Sequence, residues 1–192
     1  YMHYGKHPEH VDSARDQVKM AIARKALSGI NDQVPPANYN GGTFNAALEL
    51  FAPVQEISRP GLYDRAAMAK ALNSVKADQE IYGRQTPMGP GIVSLDPVLA
   101  KMTGNTAVIL VSDGEANLGT DPVAEARAIY SKYPNTCIHT VSVADDQDKK
   151  GKLILSSINK LNTCSVMAEA TALNQDRAAL DKFVRDVFCT GK

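Results

Sequence analysis

The sequence predicts an α/β fold, a doubly wound and mostly parallel sheet flanked by helices, and three observations carry that reading. Thr106 to Val111 (TAVILV) is a continuous apolar run rich in branched residues and bounded by turn signals, the pattern of a strand buried on both faces. Cys137 to Val143 (CIHTVSV) repeats it after an intervening helix. Leu180, Phe183, Val184, Val187 and Phe188 then fall at i, i+3, i+4, i+7 and i+8, an apolar stripe suited to docking a helix on a sheet. Strands alternating with helices imply parallel pairing with helices on both faces.

The elements follow in order. YMHYGKHPEH has no periodicity and reads as a loop; its His3, His7 and His10 lack any carboxylate or cysteine framework for a metal. A helix is predicted from Val11, capped by Asp12 or Ser13, with Ala14, Val18 and Ile22 on one face. Gly29 and Asn31-Asp32 are expected to stop it. VPPANYNGG is a connector. TFNAALELFAPVQEI is ambiguous between helix and strand; at least one strand is expected, firmest from Leu50 to Val54. Tyr63 to Ala77 reads as an amphipathic helix with Ala67, Leu72 and Val75 on its apolar side. The loop RQTPMGPG leads into a helical stretch that Asp96-Pro97, read as a cap and a first-turn proline, splits in two. After the Thr106–Val111 strand and the polar turn SDGEANLGTD, Asp121-Pro122 starts a helix through Tyr133. The second strand is followed by the acidic loop ADDQD, a helix aligning Ile154, Ile158 and Leu161, the short extended piece CSVMA, and the striped last helix.

Composition limits the function classes. The 192 residues suit one domain, and 21 basic against 21 acidic residues give no polybasic surface for nucleic acid or membrane. No apolar run approaches the roughly 20 residues that span a bilayer. The segment at Tyr1 does not read as a signal peptide, which leaves a cytosolic protein or a mature or trimmed piece of an exported one. Of three cysteines, Cys137 and Cys164 could pair in an exported protein, closing a loop worth about 3 kcal/mol. Cys189 would then be left over, and three buried thiols are the alternative.

In a doubly wound sheet, function sits beyond the carboxyl ends of the strands, which selects Asp113 and the loop around Asp145 and Asp146. No GxGxxG or GxxxxGK[ST] follows a strand, and there is no GxSxG elbow, so nucleotide binding and covalent catalysis lack their signatures. The loop DDQDKKG fails as a calcium site. Asp146, Asp148 and Gly151 match it, but Lys150 stands where an oxygen ligand is needed and Ser157 where the bidentate glutamate belongs. What remains is Asp113 in VSDGEAN with Thr86 in RQTPMGPG, a carboxylate and a hydroxyl of the kind a hard divalent cation takes. The alternative is local: Asp113 holding its own turn and Thr86 capping a helix.

TAVILVSDGEANLGTDP resembles the fourth strand and metal loop of von Willebrand factor type A domains, where [T/S]DG ends a hydrophobic strand. TPMGPGI resembles the family's threonine loop, and CIHTVSVADD its next strand and loop. The resemblance runs from roughly Val11 to Phe188 and is nearest to bacterial envelope versions often joined to outer-membrane protein A-type modules. It implies a single such domain over residues 1–192. It also implies a non-enzymatic protein-binding or adhesion module with a metal-ion-dependent adhesion site. There Thr86 and Asp113 would hold Mg2+ (or Ca2+ or Mn2+) and the protein partner's carboxylate would complete the shell. Thr43 in GGTFNAAL competes with Thr86 but lies 70 residues before Asp113, against 27 for Thr86. Cys137 and Cys164 fall where exported relatives carry a disulfide, so a periplasmic, outer-membrane-associated or extracellular location is expected.

One departure stands out. The family's Asp-x-Ser-x-Ser motif, which ends its first strand, is absent, and the chain is expected to be N-terminally incomplete, lacking that central strand. Two strand edges would then lie unpaired, at high cost for their backbone groups. The strand would come from a removed upstream segment, a separate chain or a neighbouring subunit. The corresponding alternative function is a metal-free structural or assembly subunit.

Overall fold

The structure, a computed structural model, describes residues 13–36, 43–51, 54–75 and 86–189. In chain order the elements are α1 (Ser13–Gln33), β1 (Asn45–Phe51), β2 (Val54–Leu62), α2 (Arg65–Ser74), α3 (Met88–Ser94) and α4 (Asp96–Leu99), followed by β3 (Thr106–Ser112), α5 (Pro122–Lys132), β4 (Thr136–Ser142), α6 (Lys149–Asn159), β5 (Met167–Glu169), α7 (Ala170–Gln175) and α8 (Arg177–Phe188). The strands β3, β4 and β5 form a parallel sheet in that order, with Thr106 opposite Thr136 and Thr140 opposite Met167. The strands β1 and β2 pair antiparallel in a separate hairpin.

The apolar runs at 106–111 and 137–143 become β3 and β4 because both faces of this sheet are covered. Side chains alternate across a strand. Thus Ile109, Val111 and Val141 join a core with Ala26 and Ile30 of α1, Leu173 of α7 and Phe183 and Val184 of α8. On the other face, Val108, Leu110 and Ile138 meet Met88 and Ile92 of α3, Ala126 and Ile129 of α5, and Leu155 and Ile158 of α6. Val141, Leu155 and Ile158 are wholly buried. Each such side chain contributes about 1.5–3 kcal/mol relative to exposure.

Several helix ends follow the predicted signals. Asp121 caps α5 by accepting from Val123 N–H at 2.9 Å, with Pro122 in the first turn. Asp64 caps α2, so that helix starts two residues later than Tyr63. The split at Asp96 occurs, but Leu95 occupies the cap position. The Asp96 carboxylate instead accepts from Lys132 at 2.6 Å and Tyr133 at 3.0 Å.

Three local expectations change. The helix α1 runs through Gly29 and Asn31-Asp32 to Gln33. Tertiary packing overrides the stop signals: Gly29 lies against Leu180, Ile30 and Val34 enter the core, and Asn31 Nδ2 donates to the Arg65 carbonyl. Val18 is 58% exposed, so the buried face of α1 passes through Ala26 and Ile30 instead. The ambiguous stretch forms two strands, and Leu50 to Val54 spans the passage between them; Ala52 and Pro53 lie outside the described residues, as do His3, His7 and His10.

Candidate functional site

The carboxyl ends of β3 and β4 carry the candidate site. Asp113 follows β3 directly, and its Oδ1 accepts from Glu115 N–H at 3.1 Å, closing a short Asx turn. Ser112 Oγ accepts from Gly114 N–H at 3.0 Å, and Ser142 Oγ does the same for Ala144 after β4. Gly114 has φ +84°, and a Cβ there would meet the Gly151 carbonyl at 2.1 Å. A Cβ on Gly151 would in turn meet the Asp113 carbonyl at 2.1 Å. Two backbones therefore touch where the β3 turn rests on the first turn of α6, and glycine is needed on both sides. Gly151, which in sequence mimics a calcium-loop glycine, has this packing role.

The strongest interaction at the site was not visible in the sequence. Lys19 of α1 places its ammonium 2.6 Å from Asp113 Oδ2 and 2.7 Å from Asp148 Oδ2. The three side chains are 10%, 20% and 4% exposed, respectively. Burial works against the charge on Lys19, but hydrogen bonds and attraction from Asp113 and Asp148 outweigh it and raise its pKa above the usual 10.5. Asp148 also accepts from Asp145 N–H at 2.9 Å, which ties the acidic loop to the same centre.

Thr86 comes to the same edge indirectly. Its backbone N–H donates to Asn117 Oδ1 at 2.7 Å, joining its loop to the loop that begins at Asp113. Gly89 permits that approach, since a Cβ there would meet the Thr120 carbonyl at 2.0 Å. Among the described residues no hydrogen bond joins Thr86 to Asp113. Thr43 is exposed just ahead of β1.

These residues fit a divalent cation poorly as they stand. Asp113 and Thr86 offer two side-chain oxygens, fewer than such an ion takes from its surroundings. The Asp113 carboxylate already faces an ammonium, which would repel a second cation. Among the described residues no cluster of three His, Cys, Asp or Glu side chains is arranged to hold a metal.

Two further features lie on β4. Cys137 and Cys164 form a disulfide with Cα atoms 5.9 Å apart, and Cys189 is an exposed free thiol. His139 is 2% exposed, and its Nδ1 accepts from Val166 N–H at 3.2 Å. Burial pushes its pKa down to about 4, so it stays neutral near pH 7.

A parallel sheet with helices on both faces defines the doubly wound α/β class. No protein-family model matches the sequence, and no curated protein matches it significantly. Solved structures do match. An aerotolerance-related membrane protein from Bacteroides fragilis NCTC 9343 is 15% identical, with TM-score 0.61 over 86% of this chain and 88% of its own. The von Willebrand factor type A protein from Catenulispora acidiphila is 17% identical, with TM-score 0.57 over 92% of this chain and 39% of its own. Proximal thread matrix protein 1 from the mussel byssus, with a zinc-occupied MIDAS motif, is 16% identical, with TM-score 0.59 over 89% of this chain and 43% of its own. The chain thus has a von Willebrand factor type A-like fold. Among its described residues no helix is long and apolar enough to cross a membrane.

Proposed function

We propose that this chain is a non-enzymatic protein-binding module that works at the carboxyl edge of the β3–β4–β5 sheet, with the Lys19 ammonium serving there in place of a metal ion. The bridge from Lys19 to Asp113 and Asp148 carries this reading. A buried ammonium between two carboxylates neutralises part of their charge, fixes the β3 and β4 loops relative to α1, and holds a shaped polar edge for a partner. The von Willebrand type A-like fold supports a protein-interaction role, and the Cys137–Cys164 disulfide supports an exported location, where such bonds persist.

A metal-assisted adhesion module is the second reading, favoured by the zinc-occupied motif of the byssus protein. In it Asp113 and Thr86 would supply two ligands to Mg2+, Ca2+ or Mn2+, Lys19 would swing away, and a partner carboxylate would complete the shell. Calorimetry with each ion separates the readings: the first expects no binding heat at millimolar metal. Proteins captured from an envelope extract should remain bound in EDTA and be lost with Asp113→Ala. Metal-dependent capture selects the second reading, and no Asp113-dependent capture in either condition overturns the module.

A further inference from the structure

The helix α6 turns Gly151, Leu155 and Ile158 into the core, at i, i+4 and i+7. Its opposite side carries Lys149, Lys150, Leu153, Ser157 and, at the carboxyl cap, Lys160, all of them exposed. Leu153 is 70% exposed, more than any other large apolar side chain among the described residues. Lys149 and Lys150 stand about one turn before it, and Lys160 about two turns after it.

Packing does not account for this face. The segment from Lys149 to Lys160 holds four lysines and no acidic residue. Lys149, Lys150 and Lys152 crowd the start of the helix, where the positive end of its dipole disfavours cations. Lys152 lies 3.9 Å from Asp146, and among the described residues no ion pair holds the other three. The helix α8 is arranged differently, with Arg177 paired to Asp181 and Lys182 to Asp186 one turn apart. The chain as a whole balances 21 basic against 21 acidic residues; this face does not.

We infer that the outer face of α6 is a docking surface for an acidic segment of a partner protein, one that brings an apolar side chain to Leu153. Charge complementarity sets the acidic part, because the unpaired ammonium groups are spread along a helix about 16 Å long. Leu153 sets the apolar part. A small anion would neutralise the lysines and leave that side chain in water. A lipid surface matches less closely, since one leucine on one short helix is a shallow anchor and a net-neutral chain is drawn only weakly to anionic lipid. The inference goes beyond the recognition role of the carboxyl edge and does not depend on Asp113.

The test is fluorescence anisotropy of a labelled peptide of Glu-Glu-Leu repeats, titrated with the 192-residue chain at low and at physiological salt. Saturable binding at micromolar concentration is expected, weaker at the higher salt. Leu153→Ser and the double variant Lys150→Glu/Lys160→Glu should each weaken it at least tenfold; all three positions are exposed, so the fold is retained. Lys25→Glu/Lys70→Glu makes the same charge change at exposed positions of α1 and α2, on the other face of the sheet, and should leave binding nearly unchanged. Absence of saturable binding overturns the inference, as does equal weakening by the Lys25/Lys70 pair or indifference to Leu153→Ser, because the attraction would then be charge alone. Loss of binding with Asp113→Ala overturns it by placing the peptide at the carboxyl edge. Tighter binding to phosphatidylglycerol vesicles through Leu153 and the same lysines overturns the assignment to a protein partner.

Discussion

The strands β3 and β4 of the parallel sheet and the strands of the β1–β2 hairpin are similar in length, seven to nine residues, but very different in how they are held. Thr136 and Ile138 to Ser142 of β4 are buried, with a helix layer on each face. In β2 no residue is buried, and Val54 and Leu62 are 51% and 66% exposed. The hairpin touches the rest of the molecule chiefly through β1, against α3 and α2, and its open end is closed by Phe44 stacked on Tyr63 with ring centroids 4.8 Å apart. The difference teaches that the fold's stability is concentrated around β3 and β4, while the slot of about 1000 Å³ between the β1 and β3 edges is bounded by edges that no described strand pairs.

The largest effect should come from the core of the parallel sheet. Leu155→Ala removes a wholly buried side chain and should cost roughly 2–5 kcal/mol in urea unfolding. Val54→Ala on the hairpin should cost less than about 0.5 kcal/mol by the same measurement. Comparable costs at the two positions would erase the contrast.

Lys19→Met leaves Asp113 and Asp148 facing each other without their shared cation. A loss of about 3 kcal/mol is expected at neutral pH. Because the pKa of Lys19 is raised, its contribution is complete below pH 10.5 and lost as pH climbs through the higher folded-state value. The stability gap between the wild type and Lys19→Met should therefore narrow as pH climbs through that value, and a gap that stays constant there would contradict the bridge.

His139 sharpens the comparison from the acid side. The unfolded chain takes up its proton near pH 6.5 and the folded chain only near 4. Protons then favour the unfolded state, so stability should fall by roughly 3 kcal/mol as pH drops through that window. Chemical denaturation at pH 7, 5.5 and 4 measures the slope, and His139→Gln should flatten it.

Much of the parallel sheet was legible in sequence because burial on both faces writes itself as continuous apolar runs at 106–111 and 137–143. The stripe through Leu180, Phe183 and Val184 was legible for the same reason, as one face of a helix. The hairpin was not, since Ala46, Ala47, Leu48 and Glu49 are helix formers that pairing with β2 holds extended. The candidate site was legible only in part. Asp113 could be placed from its position after a buried strand. Lys19 could not, because it meets Asp113 across 94 positions of sequence and looks there like any helix-surface lysine. Gly151 was visible but its reason was not, since a close approach of two backbones leaves no local pattern.

The central claim is that, among the described residues, β3 is paired on its β4 edge and unpaired on the other, and residue-resolved amide exchange on the 192-residue chain tests it most directly. The account predicts slow exchange at Val108, Leu110 and Ser112, which face β4, and exchange at least tenfold faster at Ala107, Ile109 and Val111, which face the slot. Equal protection along both sets would contradict it, because the slot edge of β3 would then already be paired.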